Sequence, residues 1–292
     1  MSFLKGFEKI VRESEPLAMH TWFQLGGPAE CFAEPESPEQ LSALLNRCAE
    51  NQKPVRLLGR GSNLLVRDEG VKGVVIHLSA PVFHEIRVEG RRVVAGGGAS
   101  LGRVVTTSVR NGLAGLESLI AIPGTIGGAL HGNAGAQGGD IGQWTRSVTI
   151  FAADGQADQR DRDELQFAYR QSNLDDLAIV EAEFELEEDD PRVLVRRMQK
   201  NWIVKKAAQP LAHQCAGCVF KNPPGAAAAE LIESAGLKGT RIGGAMVSER
   251  HAGFIVADSD CSASDVLRLI HFVRDQVRER MGVELQLEIE IW

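Results

Sequence analysis

A glycine-rich stretch from Ala121 to Gln143 (AIPGTIGGALHGNAGAQGGDIGQ) constrains the fold of this 292-residue chain more than any other segment. It holds eight glycines in 23 residues, where average usage of about 7% would give one or two. No Asp, Glu, Lys or Arg precedes Asp140 within it. A flexible linker would be polar and rich in Ser. The stretch is therefore expected to be a buried or half-buried backbone pressed against something large and flat.

Two interpretations of this stretch are open on the residues alone. Glycine lets main-chain N–H groups approach a ligand that a Cβ would push away, and it supplies turns with positive φ. Successive N–H groups in such turns form concavities that bind anions. The stretch would then cradle a phosphate-bearing cofactor. The alternative is a string of tight turns at the corner of a sheet.

A second glycine-rich turn, GRGSN at positions 59–63, lies between two apolar runs, Val55–Leu58 and Leu64–Val66. A strand, this turn and another apolar run again suggest backbone N–H groups aimed at an anion. The turn is not the dinucleotide-binding fingerprint, because its third glycine is missing and no helix is predicted to follow it.

Composition bounds the class of protein. The length suggests about two domains. With 43% hydrophobic residues, 24% charged residues and a net charge of −7, the chain is typical of a globular protein and an improbable partner for nucleic acid. No run approaches the roughly 18 apolar residues of a membrane span, so no membrane insertion is expected. Five scattered cysteines are typical of a protein of the reducing cytosol.

Periodicity and capping residues predict a mixed helix and strand content. Helices are expected after the Ser37-Pro38 and Ser100 caps, from Pro191 with Val195, Met198 and Trp202 on one side, at Ala226–Ala235, and at Asp265–Met281. Strands are expected at Val55–Leu58, Val74–Leu78, Arg92–Ala95, Arg146–Ala152, Leu177–Leu186, Gly253–Ala257 and, with clean alternation, Val283–Ile291.

Six motifs in order carry a resemblance to a known family. They are LGRGSNLLV (58–66), IPGTIGGALHGNAGAQGGD (122–140), YRQS (169–172), QPLAHQCAGCVFKNPP (209–224), RIGGAMVSERHAGFIV (241–256) and the terminal strand around Glu288. Together they resemble the UDP-N-acetylenolpyruvoylglucosamine reductase (MurB) family, from His20 to Glu288. The short distance between Cys218 and Arg241 is similar to the compact form of that family, which lacks an extra Tyr-bearing loop.

The resemblance implies a fold and a reaction. The fold class would be α+β: an FAD-binding fold of the vanillyl-alcohol-oxidase type in two subdomains, residues 1–80 and 81–188, and a substrate-binding domain, residues 189–292. NADPH would reduce FAD, and the enolpyruvyl ether of the UDP-sugar would become UDP-N-acetylmuramate in peptidoglycan synthesis. A cytoplasmic monomer that binds only small-molecule substrates is expected.

The resemblance also implies three catalytic residues. Arg170 would stabilise the charge that accumulates on the substrate carboxylate, a role for which a bidentate, always charged guanidinium is suited. Cys218 occupies the position of the family's proton donor, where the usual residue is Ser. Glu288 would help to polarise the substrate carboxylate. On pattern alone, Arg170 would instead form a surface ion pair, and Glu288 would lie on a solvated strand face.

Binding residues follow from the same resemblance. The expected FAD contacts are Gly59, Arg60, Gly61, Ser62, Asn63, Leu64, Pro123, Gly124, Thr125, Gly127, Gly128, Asn133, Ala134, Gly135, Val180 and Arg241. The expected contacts to the UDP-sugar are Tyr169, Lys221 and Asn222. No metal is expected, since a structural zinc needs a second ligand pair beside Cys215 and Cys218.

Other interpretations remain open at this point. Cys215 and Cys218 could form a redox pair, or Cys218 could be a buried apolar thiol. The whole chain could be a flavoprotein oxidase acting on another substrate. It could also be a paralogue that binds FAD or a UDP-sugar without turnover. Cys218, in place of the family's Ser, is the feature that favours this alternative.

Overall fold

The computed structural model describes residues 2–136, 138–174, 178–210 and 212–292. Gln137, Leu177 and Leu211, which belong to motifs or strands predicted above, lie outside the described residues. The α-helices are α1 (Pro38–Glu50), α2 (Leu101–Arg110), α3 (Ile126–His131), α4 (Pro191–Ala208), α5 (Ala228–Ser234) and α6 (Ala263–Met281). Short 3₁₀ turns cover Ser2–Leu4, Leu17–His20, Pro81–His84, Glu117–Leu119 and Ile141–Gln143.

Strands of two to eight residues account for most of the remaining regular structure. They are β1 (Val11–Pro16), β2 (Pro28–Ala33), β3 (Val55–Leu58), β4 (Leu64–Leu65), β5 (Val71–His77), β6 (Ile86–Glu89), β7 (Arg92–Gly96), β8 (Leu113–Ala114), β9 (Gly135–Ala136), β10 (Gly139–Asp140), β11 (Thr145–Phe151), β12 (Ala157–Asp161), β13 (Phe167–Ala168), β14 (Gln171–Ser172), β15 (Ala178–Glu185), β16 (Glu187–Glu188), β17 (Arg241–Ile242), β18 (Ala245–Val247), β19 (Ile255–Ala257) and β20 (Glu290–Ile291).

The chain divides into two compact units, and each is built from several segments. The first unit comprises Met1–Glu13, Glu30–Gly59 and Lys72–Lys205, and the second comprises Ser14–Ala29, Arg60–Val71 and Lys206–Trp292. None of the helices described here is long and apolar enough to cross a membrane.

Most of the first sheet, of order β1-β2-β5-β3, belongs to the first unit, with β3 parallel to β5. Helix α1 covers it and begins as the sequence predicts. The Ser37 hydroxyl accepts a hydrogen bond from the Gln40 N–H at 3.3 Å, and Pro38 occupies the first turn. Such a cap satisfies an N–H group that has no partner within the helix. The predicted apolar stripe of α1 is buried: Leu41, Leu44, Leu45 and Cys48.

A five-stranded sheet of order β12-β11-β15-β7-β6 forms the second layer of the first unit. Its pairs are antiparallel. Helices α2 and α3 bury their apolar faces in the same hydrophobic cluster as its strands. The glycine-rich stretch is not only a string of turns, because it contains α3. The Thr125 hydroxyl caps this helix by accepting from the Gly128 N–H at 3.2 Å.

The second unit packs α5 and α6 against the sheet β17-β18-β19. Helix α6 has a capping box, in which the Ser262 hydroxyl accepts from the Asp265 N–H and the Asp265 carboxylate accepts from the Ser262 N–H. It ends at Gly282, whose φ of +68° is the left-handed geometry that favours glycine at this position. These local signals explain why the longest helix of the chain is where the sequence places it.

The prediction of one long terminal strand is wrong. Only Glu290–Ile291 is a strand, parallel to β4, and Leu287 forms an isolated bridge with Phe220. The predicted segment finds two different short partners, so no continuous ladder forms. Its alternation still reflects burial, since Leu285 and Ile289 are buried.

Two helix predictions need smaller corrections. Trp202 is 44% exposed, because within α4 Leu194 alone is fully buried and the second half of the helix is mostly exposed. Helix α5 begins at Ala228 rather than Ala226. The Asn222 Oδ1 accepts from the Ala228 N–H at 3.0 Å and fixes the start.

The capping box makes a testable pH dependence. The pKa of Asp265 is lowered from 3.8 to about 2. The hydrogen bond from the Arg268 guanidinium has the largest effect, and the N–H groups of Gly244 and Ser262 add to it. A carboxyl with a depressed pKa stabilises the fold above its unfolded value, and this contribution is lost as the pH falls toward the folded value. The Asp265→Asn variant should therefore lose much of the change in unfolding free energy between pH 4 and pH 2, measured by urea unfolding. Asp275→Asn, an exposed change on the same helix, is the control and should keep it.

Candidate functional site

In the first unit, the two glycine-rich segments meet at Gly59 and Thr125. A Cβ added to Gly59 would lie 2.8 Å from the Thr125 Oγ1, a separation that real Cβ atoms essentially never show. The same Oγ1 caps α3. The turn after β3 can therefore come this close to the start of α3 only because residue 59 is glycine.

A layer of backbone contacts supports this meeting point. The Gly127 N–H donates to the Gly97 carbonyl at 2.8 Å, and the Gly97 N–H donates to the Val180 carbonyl at 2.7 Å. A Cβ on Gly97 would lie 1.9 Å from the Ile179 carbonyl oxygen. The three segments are thus in direct main-chain contact, and a side chain at position 97 would force them apart.

Several backbone N–H groups of the glycine-rich segments are available to a ligand. Within the described residues, the N–H groups of Gly124 and Thr125 in the first unit donate to no protein acceptor, and the same holds for Arg60 and Gly61 in the second unit. Gly124 has a φ of +146° and Gly61 a φ of +59°. Unpaired N–H groups beside positive-φ glycines are the donors that bind phosphate oxygens. Each segment therefore fits a phosphate-bearing cofactor.

Arg170 lies at the tip of the hairpin that joins β13 to β14, next to Tyr169. Its φ of +56° is in the left-handed region, which is rare for a residue with a long side chain and is often found at functional sites. One guanidinium nitrogen, Nη1, donates to the Gly135 carbonyl at 3.1 Å. The guanidinium carbon lies 5.5 Å from the centre of the Tyr169 ring, which is 56% exposed.

Asn133 ties this hairpin to the glycine-rich stretch. Its side-chain amide donates to the Ala168 carbonyl at 2.9 Å, and its Oδ1 accepts from the Gly142 N–H at 3.1 Å. The residue is only 3% exposed. The sequence predicts Asn133 as an FAD contact, but in the structure both ends of its amide bind protein.

In the second unit, Cys218 and Glu288 converge on Val219. The Val219 carbonyl accepts from the Glu288 N–H at 2.8 Å, and the Val219 N–H donates to the Gly253 carbonyl at 2.8 Å. Cys218 and Glu288 are both half-buried. Two residues that are 70 positions apart in the sequence are therefore brought next to each other by main-chain hydrogen bonds.

Gly253 brings an imidazole close to the Cys218 thiol. The position that a Cβ of Gly253 would take lies 3.4 Å from the Cys218 Sγ and 3.1 Å from the His251 Nδ1. The Gly253 N–H lies within hydrogen-bonding distance of that same Nδ1, at 3.1 Å. In this arrangement Nδ1 accepts, so the proton of the neutral ring lies on Nε2. His251 is absent from the predicted site residues, although the motif HAGF contains it.

Asn63 connects the second glycine-rich turn to Glu288. Its side-chain amide donates to the Glu288 carbonyl at 3.0 Å. Its own carbonyl accepts from the Glu290 N–H at 2.9 Å, and the carbonyl of the preceding Ser62 accepts from the Gly217 N–H at 3.0 Å. The turn predicted to hold a cofactor thus contacts the segments of both Cys218 and Glu288.

Cys215 differs from Cys218 in its surroundings. It is 3% exposed, and burial raises the pKa of its thiol to about 11. All five cysteines are free thiols. In the described part of the chain, no three His, Cys, Asp or Glu side chains form a group that could hold a metal ion. Because its pKa is raised, the Cys215 thiol is a poor nucleophile at neutral pH.

Three further residues predicted to bind FAD or the UDP-sugar have contacts within the second unit. Asn222 uses its side-chain oxygen at the start of α5. Arg241 pairs with Asp258 at 2.6 Å on the surface. Lys221 is half-buried, and its N–H donates to the Gln286 carbonyl at 2.8 Å.

Comparison with known proteins gives two family matches. Residues 209–292 match the profile of the UDP-N-acetylenolpyruvoylglucosamine reductase C-terminal domain, and residues 29–157 match that of an FAD binding domain. UDP-N-acetylenolpyruvoylglucosamine reductase 2 of Symbiobacterium thermophilum is 44% identical over 97% of this chain and 92% of its own length. The Bacillus subtilis reductase is 40% identical over 97% of this chain and 98% of its own.

Solved structures agree with these matches. The crystal structure of UDP-N-acetylenolpyruvylglucosamine reductase (MurB) from Thermus caldophilus has a TM-score of 0.84 at 37% identity, with 97% of this chain and 99% of the other covered. The glucose dehydrogenase Phl p 4.0202 has a TM-score of 0.52 at 13% identity over 65% of this chain and 45% of its own. That second likeness concerns the fold alone.

The contact between Gly59 and Thr125 can be tested by a double-mutant cycle. Gly59→Ala should lower the unfolding free energy by about 1–2 kcal/mol, because the new Cβ meets the Thr125 hydroxyl. Thr125→Ala should cost about 1 kcal/mol through the lost cap. The double variant should lose less than the sum, since the hydroxyl that the new Cβ would meet is gone. Additive losses in denaturant unfolding would contradict the contact. Gly102→Ala, where a Cβ has 3.8 Å of space, is the control.

Proposed function

The chain belongs to the UDP-N-acetylenolpyruvoylglucosamine reductase family, and we propose that Cys218, Glu288 and Arg170 carry out its proton transfer and charge stabilisation. The chain is an FAD-dependent oxidoreductase of peptidoglycan synthesis that reduces the enolpyruvyl ether of UDP-N-acetylglucosamine with NADPH. The predictions of the family, the α+β fold class, the activity and both cofactors are confirmed. The alternatives, an oxidase of another substrate and a paralogue without turnover, are not favoured by relatives of this name.

The convergence of Cys218 and Glu288 on Val219 carries the proposal of their roles. An acid and a carboxylate that act on one small substrate must lie side by side. The main chain brings them there through the Val219 carbonyl, which accepts the Glu288 N–H at 2.8 Å. General acid catalysis depends on this kind of positioning before it depends on acidity.

FAD, when bound, supplies the electrons that pass from NADPH to the enolpyruvyl group. The protein must supply a proton to the substrate and stabilise the substrate's carboxylate. Cys218 donates its S–H proton to the carbon next to the substrate carboxylate, and its sulfur is left as a thiolate. A thiol, with a reference pKa of about 8.5, gives up a proton far more readily than an alcohol does. The thiolate must then be protonated again before the next turnover.

Arg170 stabilises the negative charge that builds up on the substrate carboxylate. Its guanidinium keeps its charge throughout the reaction and has several N–H donors in a fixed plane. The hydrogen bond from Nη1 to the Gly135 carbonyl holds one side of that plane. Glu288 polarises the same carboxylate of the substrate. Such preorganised groups act in the transition state without a further cost of reorganisation.

Binding roles follow from the glycine-rich segments and remain part of the proposal. FAD phosphates are held by backbone N–H groups of residues 59–64 and 123–128, and the loop at 133–135 continues the binding segment. Val180 and Arg241 complete the proposed FAD contacts. Tyr169, Lys221 and Asn222 bind the UDP-sugar. Two FAD subdomains, residues 1–80 and 81–188, and a substrate domain, residues 189–292, are part of the same proposal. The order of the two family matches, an FAD binding domain at residues 29–157 before a reductase C-terminal domain at residues 209–292, is consistent with it.

Two further expectations belong to the proposal. The enzyme acts as a monomer on small molecules alone. It works in the cytoplasm, where its five free thiols stay reduced.

Changes at Cys218 test the proton donor. Cys218→Ser should keep reductase activity, because an alcohol can occupy the same position. Cys218→Ala should leave reduction of the flavin by NADPH intact and slow its reoxidation by the substrate by roughly 10²–10⁴-fold. Stopped-flow absorbance of the flavin separates the two half-reactions. Equal reoxidation rates in Cys218→Ala and the wild type would exclude the role. Cys215→Ala, a change of the buried neighbouring thiol, is the control for the loss of a cysteine.

Changes at Arg170 and Glu288 test charge stabilisation. Arg170→Ala and Glu288→Gln should each slow reoxidation by the substrate by roughly 10²-fold or more, while reduction by NADPH stays within a few-fold of the wild type. Arg170→Lys should recover part of the loss, because it restores the charge without the planar fork. Arg160→Ala removes an arginine elsewhere in the first unit and should leave both half-reactions unchanged.

A further inference from the structure

We propose that Asn63 and Asn133, one in each glycine-rich cofactor segment, are positioning residues that hold Glu288 and Arg170 in place for the reaction. The inference rests on the proposed roles of Glu288 and Arg170. The two asparagines then have a task beyond cofactor contact. The Asn63 side chain is bonded to the main chain of Glu288, and the Asn133 side chain to the main chain two residues before Arg170.

Asn63 fixes the backbone on both sides of Ile289. Its amide donates to the Glu288 carbonyl at 3.0 Å, and its carbonyl accepts from the Glu290 N–H at 2.9 Å. The segment around Glu288 is not a regular strand, so it has no continuous ladder to fix its register. Together with the bond from the Glu288 N–H to the Val219 carbonyl, the Asn63 amide determines where the Glu288 side chain begins.

The same turn reaches the segment of Cys218. The Ser62 carbonyl accepts from the Gly217 N–H at 3.0 Å, and a Cβ on Gly217 would lie 3.7 Å from the Asn63 Oδ1. Residues 62 and 63 are therefore bonded to the chain just before the thiol and to the chain at the carboxylate. A shift of this turn would change the distance between the proton donor and Glu288.

Asn133 has the corresponding place in the first unit. Its amide donates to the Ala168 carbonyl at 2.9 Å, directly before the Tyr169-Arg170 tip, and its Oδ1 accepts from the Gly142 N–H at 3.1 Å. The guanidinium of Arg170 is bonded in turn to the Gly135 carbonyl at 3.1 Å. The loop therefore holds the hairpin two residues before Arg170 and also holds the Arg170 side chain.

The attachments hold a tight turn in place. Ala168 pairs with Gln171, so Tyr169 and Arg170 form a two-residue hairpin loop, and such loops place residues at positive φ. The left-handed φ of +56° at Arg170 is unfavourable for arginine, and the Asn133 amide and the Gly135 carbonyl hold the loop that requires it. Asn133 itself has a φ of +41°, which asparagine tolerates better than most residues.

An isosteric change tests both positions. Asn63→Asp and Asn133→Asp keep the shape but remove the N–H donor and place an oxygen against a carbonyl. Each should slow flavin reoxidation by the substrate by about 10–100-fold, the usual effect of losing a group that orients a catalytic residue. The affinity for FAD is measured separately by fluorescence titration, and both half-reactions are followed with FAD-saturated enzyme. Under that condition the rate of reduction by NADPH should change less than about threefold.

Double variants show whether each asparagine acts through its proposed partner. Asn63→Asp should add little to the slowing already caused by Glu288→Gln, and Asn133→Asp little to that caused by Arg170→Ala. The crossed pairs, Asn63→Asp with Arg170→Ala and Asn133→Asp with Glu288→Gln, should be multiplicative. Asn111→Asp is the matched control, because the Asn111 amide also donates to a carbonyl, that of Thr107 at 2.8 Å, at an exposed helix end.

Three results would overturn the inference. One is weaker FAD binding with normal reoxidation of the loaded enzyme, which would make the asparagines cofactor contacts only. Another is a lowered melting temperature with unchanged rates in both half-reactions. A third is multiplicative loss in the matched pairs. Failure of the proposed function is a separate result: Glu288→Gln and Arg170→Ala would then reoxidise at the wild-type rate, whatever the asparagine variants do.

Discussion

Close approach of one backbone to another, allowed by glycine, is the constraint on which both units depend. In the first unit, Gly59 lets a turn meet the Thr125 hydroxyl, and Gly97 donates to the Val180 carbonyl while its own carbonyl accepts from Gly127. In the second unit, Gly253 lets the His251 ring and the Cys218 thiol lie around the same point. A Cβ at any of these positions would press against a neighbouring group, and at Gly253 that neighbour includes the proposed proton donor.

The helices could be predicted because their signals are local. Helix α6 begins at a Ser262 capping box and ends at Gly282, and these lie within one turn of the residues that they organise. The terminal segment could not be predicted in this way. Its alternation is real, but its hydrogen bonds go to Val219, Asn63 and Leu65, which belong to other parts of the chain. A pattern of period two shows which face is buried and does not show whether a ladder exists.

The candidate site also combines features that the sequence predicts with features that it does not. The residue types of the site could be recognised because six motifs occur in order, and the family matches agree with that recognition. Its geometry could not be inferred, because the contact of Glu288 with Val219 joins residues that are distant in sequence. As members of glycine-rich motifs, Asn63 and Asn133 are predicted from sequence to contact the cofactor. Their side-chain bonds appear only when the chain is folded.

An amide is suited to this connecting task in a way that a carboxylate is not. It donates and accepts at once, as the Asn133 side chain does toward Ala168 and Gly142. It also brings no charge to a region where phosphates would bind. A carboxylate at position 63 would repel both the Glu288 carbonyl and an incoming phosphate. The two glycine-rich segments can therefore join a cofactor to a catalytic group with a neutral side chain.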